Sequence, residues 1–287
     1  MIDLHLHTTA SDGTLSPTAL VSLAAGTGLR IISVTDHDTV AGLAEARDVA
    51  ARLGLRLVNG IEITAVEDAR DVHVLGYFFD PDDRDLTRFL ERQRAERVER
   101  VREIGARLAS LGVPVDVDAI VAVAARDAGR SVGRPLVADA LVAAGHALDR
   151  RDAFDRWLAA GGPAFVPRRG PPLSRVVETI SAAGGLASLA HPGLLHLDDR
   201  IPDFASAGLS AIEARHRDHD AATEARYRGM ARALGLAVSG GSDFHGIVDR
   251  VDAGGAATAF RTVALPDEDF AALEARRRQA FGEVRRT

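Results

Sequence analysis

Hydrophobic and polar positions alternate with a period of two over the first seven residues, and the period then changes repeatedly along the chain. Ile2, Leu4 and Leu6 alternate with Asp3, His5 and His7, which predicts a strand with one aliphatic face and one bearing a carboxylate and two imidazoles. Ser11-Asp12-Gly13 reads as a turn, and Ser16-Pro17 opens a helix to about Ala25, with Ser16 as its N-cap. A buried strand follows over Arg30–Thr35 and delivers Asp36, His37 and Asp38. Val40–Leu53 is helical and stops at Gly54. Leu55–Thr64 and Asp71–Phe79 are further strands, carrying Glu62 and His73. This βαβα rhythm predicts a parallel sheet or barrel with its site where the strands end.

From about Asp82 the rhythm breaks. Asp82–Leu111 reads as one long charged helix, followed by short helices at Val115–Ala124, Arg134–Ala144 and Arg150–Ala159. We take residues 99–162 as an all-helical insertion, and 1–98 with 163–287 as one α/β domain. Between Asp82 and Arg107 there are 8 Arg against 7 Asp plus Glu, so this helix is read as a salt-bridged solvated face, not an RNA-binding one. Alternation resumes with a helix at Leu173–Ala183, a strand at Leu186–Ala190 ending in His191-Pro192-Gly193, and a strand at Ser210–Ala214. A helix at Ala221–Leu234 and a strand at Leu236–Ser239 lead into GGSDFHG. The last amphipathic helix lies near Asp267–Gln279.

Composition narrows the chemistry. There is no cysteine, so a metal would be held by nitrogen and oxygen alone. All 35 basic residues are arginine, which removes Schiff-base, P-loop and carboxylated-lysine chemistry. A net charge of -6 argues against an extended nucleic-acid surface, hence against duplex DNA as a partner, but leaves room for a local phosphate pocket. No apolar run approaches the ~20 residues that span a bilayer, and no leader pattern opens the chain, so a cytoplasmic protein is expected.

Nine polar residues then stand out. His5, His7, Asp12, His37, Glu62, His73, His191, Asp243 and His245 all fall at or just past the C-terminal end of an expected strand. H-x-H alone also fits two hydrogen-bonded histidines, but six of the ten histidines gathering at one rim does not suggest packing. So many ligands exceed what one tetrahedral ion needs, and two or three divalent ions are expected, with manganese, iron or zinc suited to imidazole and carboxylate.

The segments DLHLHT, SDG, VTDHDT, GIE, VHVLGY, AHPG and GSDFHG, in this order and spacing, resemble the PHP (polymerase and histidinol phosphatase) superfamily of metal-dependent phosphoesterases. The GRP at Gly133-Arg134-Pro135, GGPAFVP and the AGG before AHPG are similar to the branch containing nucleoside 3′,5′-bisphosphate phosphatase, also described as ribonuclease AM. The resemblance runs from Ile2 to about Gly246. It implies a distorted (βα)7 TIM-like barrel with a trinuclear centre. His5, His7, Glu62 and Asp243 would hold the first ion, and Glu62 would bridge to a second held by His73 and His191. Asp12, His37 and His245 would hold the third. Two departures, Leu136 where many members have histidine and Arg215 where an aromatic residue often stands, lie outside the ligand set and concern the substrate side.

The function expected is hydrolysis of phosphate monoesters of small nucleotides, most of all the 3′-phosphate of nucleoside 3′,5′-bisphosphates, with 5′-3′ trimming of short single-stranded RNA beside it. Paired cations ~3.5–4 Å apart can hold a hydroxide at neutral pH while neutralising phosphate oxygens. Arg134 is the first candidate to grip phosphate; Arg168, Arg169 and His219 are further ones. Asp3 and Asp36 are expected to orient ligand imidazoles. His146, His196 and His216 are given no part. Competing readings are a PHP phosphatase of another small metabolite such as a histidinol phosphate, an amidohydrolase-type C–N hydrolase, and a catalytically silent PHP scaffold. The absence of lysine removes the commonest binuclear amidohydrolase, and a silent module should have lost ligands that are all present here.

Overall fold

The computed structural model describes residues 1–126, 129–246 and 263–282. Seven strands form one sheet in sequence order: β1 (Ile2–Leu6), β2 (Ile31–Val34), β3 (Arg56–Glu67), β4 (Arg70–Tyr77), β5 (Leu186–Leu189), β6 (Ala211–His216) and β7 (Ala237–Gly241). A parallel bridge from Leu6 to Phe244 brings the last strand back to the first. His7 N donates to Phe244 O at 3.0 Å, so the sheet curls into a nearly closed barrel. A Cβ on Gly241 would overlap the backbone of His5, and glycine there lets the two edges meet. This is the expected distorted seven-stranded α/β barrel.

One expectation about direction is overturned. β4 runs antiparallel to both β3 and β5, whereas the other strand pairs are parallel. No helix separates β3 from β4. They form a hairpin in which Glu67 pairs with Arg70 across Asp68 and Ala69, both at positive φ (48° and 62°). The reversal brings the first half of β4, and His73 with it, to the rim where the neighbouring strands end.

The helices follow the apolar periods. α1 (Pro17–Gly26) is capped by Ser16, whose side chain accepts from Ala19 N, and α2 (Leu43–Leu53) ends at Gly54 with φ 72°. α3 (Arg84–Ser110) serves two cores. Leu86, Phe89 and Leu90 pack on the barrel, while Val101, Ile104 and Leu108 join a second apolar cluster with Val137, Leu141 and Leu158. That cluster is built with α4 (Val117–Arg126), α5 (Arg134–Ala143) and α6 (Arg150–Ala153), so residue 99 lies inside a continuous helix. The single helix expected over Arg150–Ala159 is instead one α-turn followed by a π-helical turn, Phe154–Leu158.

α7 (Leu173–Ala182) precedes β5, an unanticipated α8 (Ile201–Ser206) precedes β6, and α9 (Ala221–Leu234) precedes β7. α10 (Asp267–Phe281) sets Phe270 and Leu273 in a cluster with Ile2, Leu4 and Tyr77. Among the described residues no helix is long and apolar enough to cross a membrane.

Candidate metal centre

Side chains from every strand converge at one rim of the barrel. Glu62, buried on β3, is their hub. Its Oε2 lies 3.4 Å from His5 Nε2, 3.2 Å from His7 Nε2 and 3.1 Å from His37 Nδ1. Its Oε1 lies 2.9 Å from His73 Nδ1 and 3.1 Å from His191 Nε2. Asp243 Oδ1 faces His5 and His7 Nε2 at 3.4 and 3.2 Å. Asp12 stands 3.3 Å from His245 Nε2 and 3.6 Å from His37 Nε2. The nine residues picked from the sequence are thus brought together. Glu62 and His73 sit within strands, not at C-terminal ends as expected, because β3 continues to Glu67 and β4 runs backwards.

Imidazoles and carboxylates packed this closely shift one another strongly. Burial alone would raise the Glu62 carboxyl, but the imidazoles of His37, His73 and His5 hold it well below its usual range. Asp12 and Asp243 behave alike, opposed by His245 and His37 and by His5 and His245. Burial drives His37 down to about 3, with His7 and His73 adding to the push. His7, by contrast, is drawn up to about 10 against its own burial by Asp243 and Glu62.

Nitrogens with no hydrogen-bond partner are buried here: His5 Nε2, both nitrogens of His7, His37 Nδ1, His73 Nδ1 and His191 Nδ1. A buried polar atom left so is costly, and such atoms massed around carboxylates make up the nitrogen-oxygen donor set of a divalent-cation site. Among the described residues, four groups have ligand atoms in range of one another: His7, Asp12, His37 and His245; His5, His7 and Asp243; His37, Glu62 and His73; and His5, Glu213 and His216.

Strained backbone marks the same rim. Asp38, His191 and Asp243 all have positive φ (52°, 29° and 50°), a conformation that costs non-glycine residues and persists where surroundings impose it. Asp3 and Asp36 act differently from the expectation that they orient imidazoles. Asp3 Oδ1 accepts from the backbone of His5 and Ser242, and Asp36 accepts from Thr8 and Ser11, so both brace loops. The carboxylate that orients an imidazole is Glu213 on β6. Its Oε1 accepts from His5 Nδ1 at 2.9 Å and its Oε2 from His191 N at 2.7 Å.

A cavity opens from this cluster between barrel and helices, lined on one side by Asp12, His37 and His73 and on the other by Arg97, Arg100, Arg134 and Arg168. Arg134 donates to Asp71 Oδ2 at 3.1 Å and packs over the rings of Phe154 and Phe165, 5.8 and 5.7 Å from their centroids. Arg100 also reaches Asp71, at 3.3 Å. Arg168 donates to Asp38 Oδ2 at 2.6 Å, and Arg97 donates to the same oxygen. Asp38, which burial would raise, is held well below the carboxylate range by these two guanidiniums.

The other expected substrate residues lie elsewhere. Both nitrogens of His219 are engaged, by Ala214 O and Gly193 N, and Arg169 is exposed beside Glu103. The reading of α3 as a purely solvated face is corrected. Arg88–Asp85 and Arg102–Glu99 do pair on its surface, but Arg97 and Arg100 turn inward to the cavity. Their signal was a spacing of three that continues the buried stripe of Val101 and Ile104.

Comparison with known proteins agrees with this geometry. The PHP domain model matches residues 3–111. A 5′-3′ exoribonuclease of Haemophilus influenzae is 36% identical over 248 residues, 85% of this chain and 89% of its own. A 3′,5′-nucleoside bisphosphate phosphatase of Chromobacterium violaceum is 35% identical over 249 residues, 85% of this chain and 87% of its own. The crystal structure of a protein from Bifidobacterium adolescentis described as a metal-dependent phosphoesterase superposes with a TM-score of 0.85 at 32% identity, covering 96% of each chain. With identity at this level over most of its length, the chain belongs to the PHP family.

Proposed function

We propose that this protein is a divalent-metal-dependent phosphomonoesterase that removes the 3′-phosphate of nucleoside 3′,5′-bisphosphates and trims short single-stranded RNA from its 5′ end. The observation that carries the reading is a single cavity walled on one face by unpartnered imidazoles around Glu62 and on the other by four arginines. His5, His7, Glu62 and Asp243 would hold one ion, Glu62, His73 and His191 a second, and Asp12, His37 and His245 a third. Manganese, iron or zinc suits such donors. When bound, these cations activate water and neutralise phosphate charge.

The arginine wall supplies the rest. Four guanidiniums share two carboxylates, Asp38 and Asp71, which leaves an excess of positive charge facing the cavity. Arg100 Nη2 and Arg168 Nε are buried without partners, so donor nitrogens on two arginines lack an acceptor. Arg168 is lowered to about 10 by burial and by Arg97, and still carries its charge at neutral pH. A second phosphate on the same nucleotide fits this wall, with Arg134 and Arg168 gripping its oxygens. Asp38 and Asp71 fix the guanidiniums beforehand, so little reorganisation is needed on binding. The helical segment 99–162 would close one side of the mouth and restrict entry to small or single-stranded substrates.

Phosphate release from an adenosine 3′,5′-bisphosphate panel with added Mn²⁺ tests the proposal. Release of the 3′-phosphate leaving 5′-AMP is expected, lost with chelator and in His37→Ala. Faster turnover of a histidinol-phosphate-type monoester would move the substrate to that class. No release with manganese, iron or zinc would favour a silent scaffold.

A further inference from the structure

β6 carries one more imidazole into the rim than the nine-residue pattern includes. His216, read from the sequence as having no part, is 2% exposed, with its ring centroid 6.2 Å from that of His5 and 5.5 Å from that of His191. Its Nδ1 accepts from the backbone N–H of Asp218 at 3.2 Å, while the Asp218 carboxylate lies 4.0 Å from that nitrogen, beyond hydrogen-bond reach. A ring whose Nδ1 accepts carries its proton on Nε2. That Nε2 is buried, has no hydrogen-bond partner, and faces Asp243 Oδ2 at 3.6 Å.

Asp243 is divided between two duties. Oδ1 faces His5 and His7, and Oδ2 faces His216, on a backbone held at φ 50°. A carboxylate pinned at one oxygen presents the other in a fixed direction. At 3.6 Å the contact is too long for a hydrogen bond, and an orphaned buried donor gains by closing it.

We propose that His216 is a positioning residue whose Nε2–H holds Asp243 Oδ2 and so aims Oδ1 at the cation shared with His5 and His7. This rests on the metal reading of the centre given above. Direct ligation by His216 conflicts with the same geometry. A free lone pair on Nε2 requires the proton on Nδ1, where it would confront the Asp218 N–H.

Mn²⁺ titration of chelator-stripped protein by calorimetry tests this, with wild type, His216→Gln and His216→Phe compared. Glutamine can still present a side-chain N–H toward Asp243; phenylalanine keeps the bulk without the donor. His216→Phe should weaken Mn²⁺ binding by about 10–100-fold with the number of sites unchanged, and His216→Gln should recover most of the loss. Unchanged affinity in His216→Phe overturns the proposal, and so does the loss of one site, which would make His216 a ligand. Should His216→Phe not fold, His216→Asn, too short to reach Asp243, takes its place with the same expectations. No Mn²⁺ binding by wild type would overturn the metal reading itself, a result separable from the other two.

Discussion

Two buried clusters of charge face each other across one cavity, and they are assembled in opposite ways. Around Glu62, imidazole nitrogens lie buried without hydrogen-bond partners, and carboxylate oxygens point inward from three elements. Across the cavity each guanidinium is tied to a carboxylate, Arg97 and Arg168 to Asp38, Arg100 and Arg134 to Asp71. The first cluster offers nitrogen and oxygen donors suited to divalent cations. The second is complete in itself and retains spare N–H groups and positive charge for an anion. A wall fit for cations beside a wall that attracts anions suits a phosphate ester.

The sharpest way to break the comparison is at its hub. Glu62→Gln removes the charge that faces five imidazoles, and we expect kcat/KM for the bisphosphate to fall on the order of 10³-fold with metal content falling alongside. Elemental analysis with phosphate release checks both. If activity falls while metal content holds, Glu62 is not the bridge.

On the other wall, Asp38→Asn leaves Arg97 and Arg168 buried without a counter-ion, and we expect about 3–5 kcal/mol of lost stability at pH 7. The folded carboxyl lies well below its unfolded pKa of about 3.9, so its contribution is fully present above that pH and is lost progressively as pH falls from there toward and through the folded pKa. Urea melts at pH 7 and pH 3 should therefore show the gap between wild type and variant shrinking in acid. A gap that widens would reverse the assignment.

Finer cuts separate the arginines. Arg134→Ala should raise KM for a 3′,5′-bisphosphate by about 10–100-fold and for p-nitrophenyl phosphate much less, as steady-state kinetics on the pair will show. Equal effects would remove Arg134 from the second-phosphate wall. Arg169→Ala should change KM by less than about 2-fold, because that side chain is 71% exposed and paired with Glu103.

Much of the metal half was legible in the chain, and little of the arginine half. His5 and His7 announce themselves because a strand of period two puts both on one face, and the other candidate ligands lie in or just after strands whose apolar runs are plain. β4 misled, since its hairpin turns on Asp68-Ala69 without the asparagine-glycine or aspartate-glycine pair that normally signals such a turn. Arg97 and Arg100 were hidden in a helix of balanced charge, where composition cannot tell which face turns inward. His216 was hidden because β6 runs two residues beyond the expected strand, and Glu213 because a single carboxylate inside a short strand carries no spacing that links it to His5.

Local pattern and residue chemistry alone thus determined an α/β sheet or barrel, the nitrogen-oxygen donor set and the gathering of histidines at one rim, and the resemblance of the motifs narrowed the sheet to a barrel. They act over a few residues, through side-chain period and the bonding each group can offer. Which carboxylate serves which partner was settled only by folding. His5 meets Glu213 from 208 positions away and Arg168 meets Asp38 from 130, and such pairs exist only once strand direction and helix rotation have been fixed by packing.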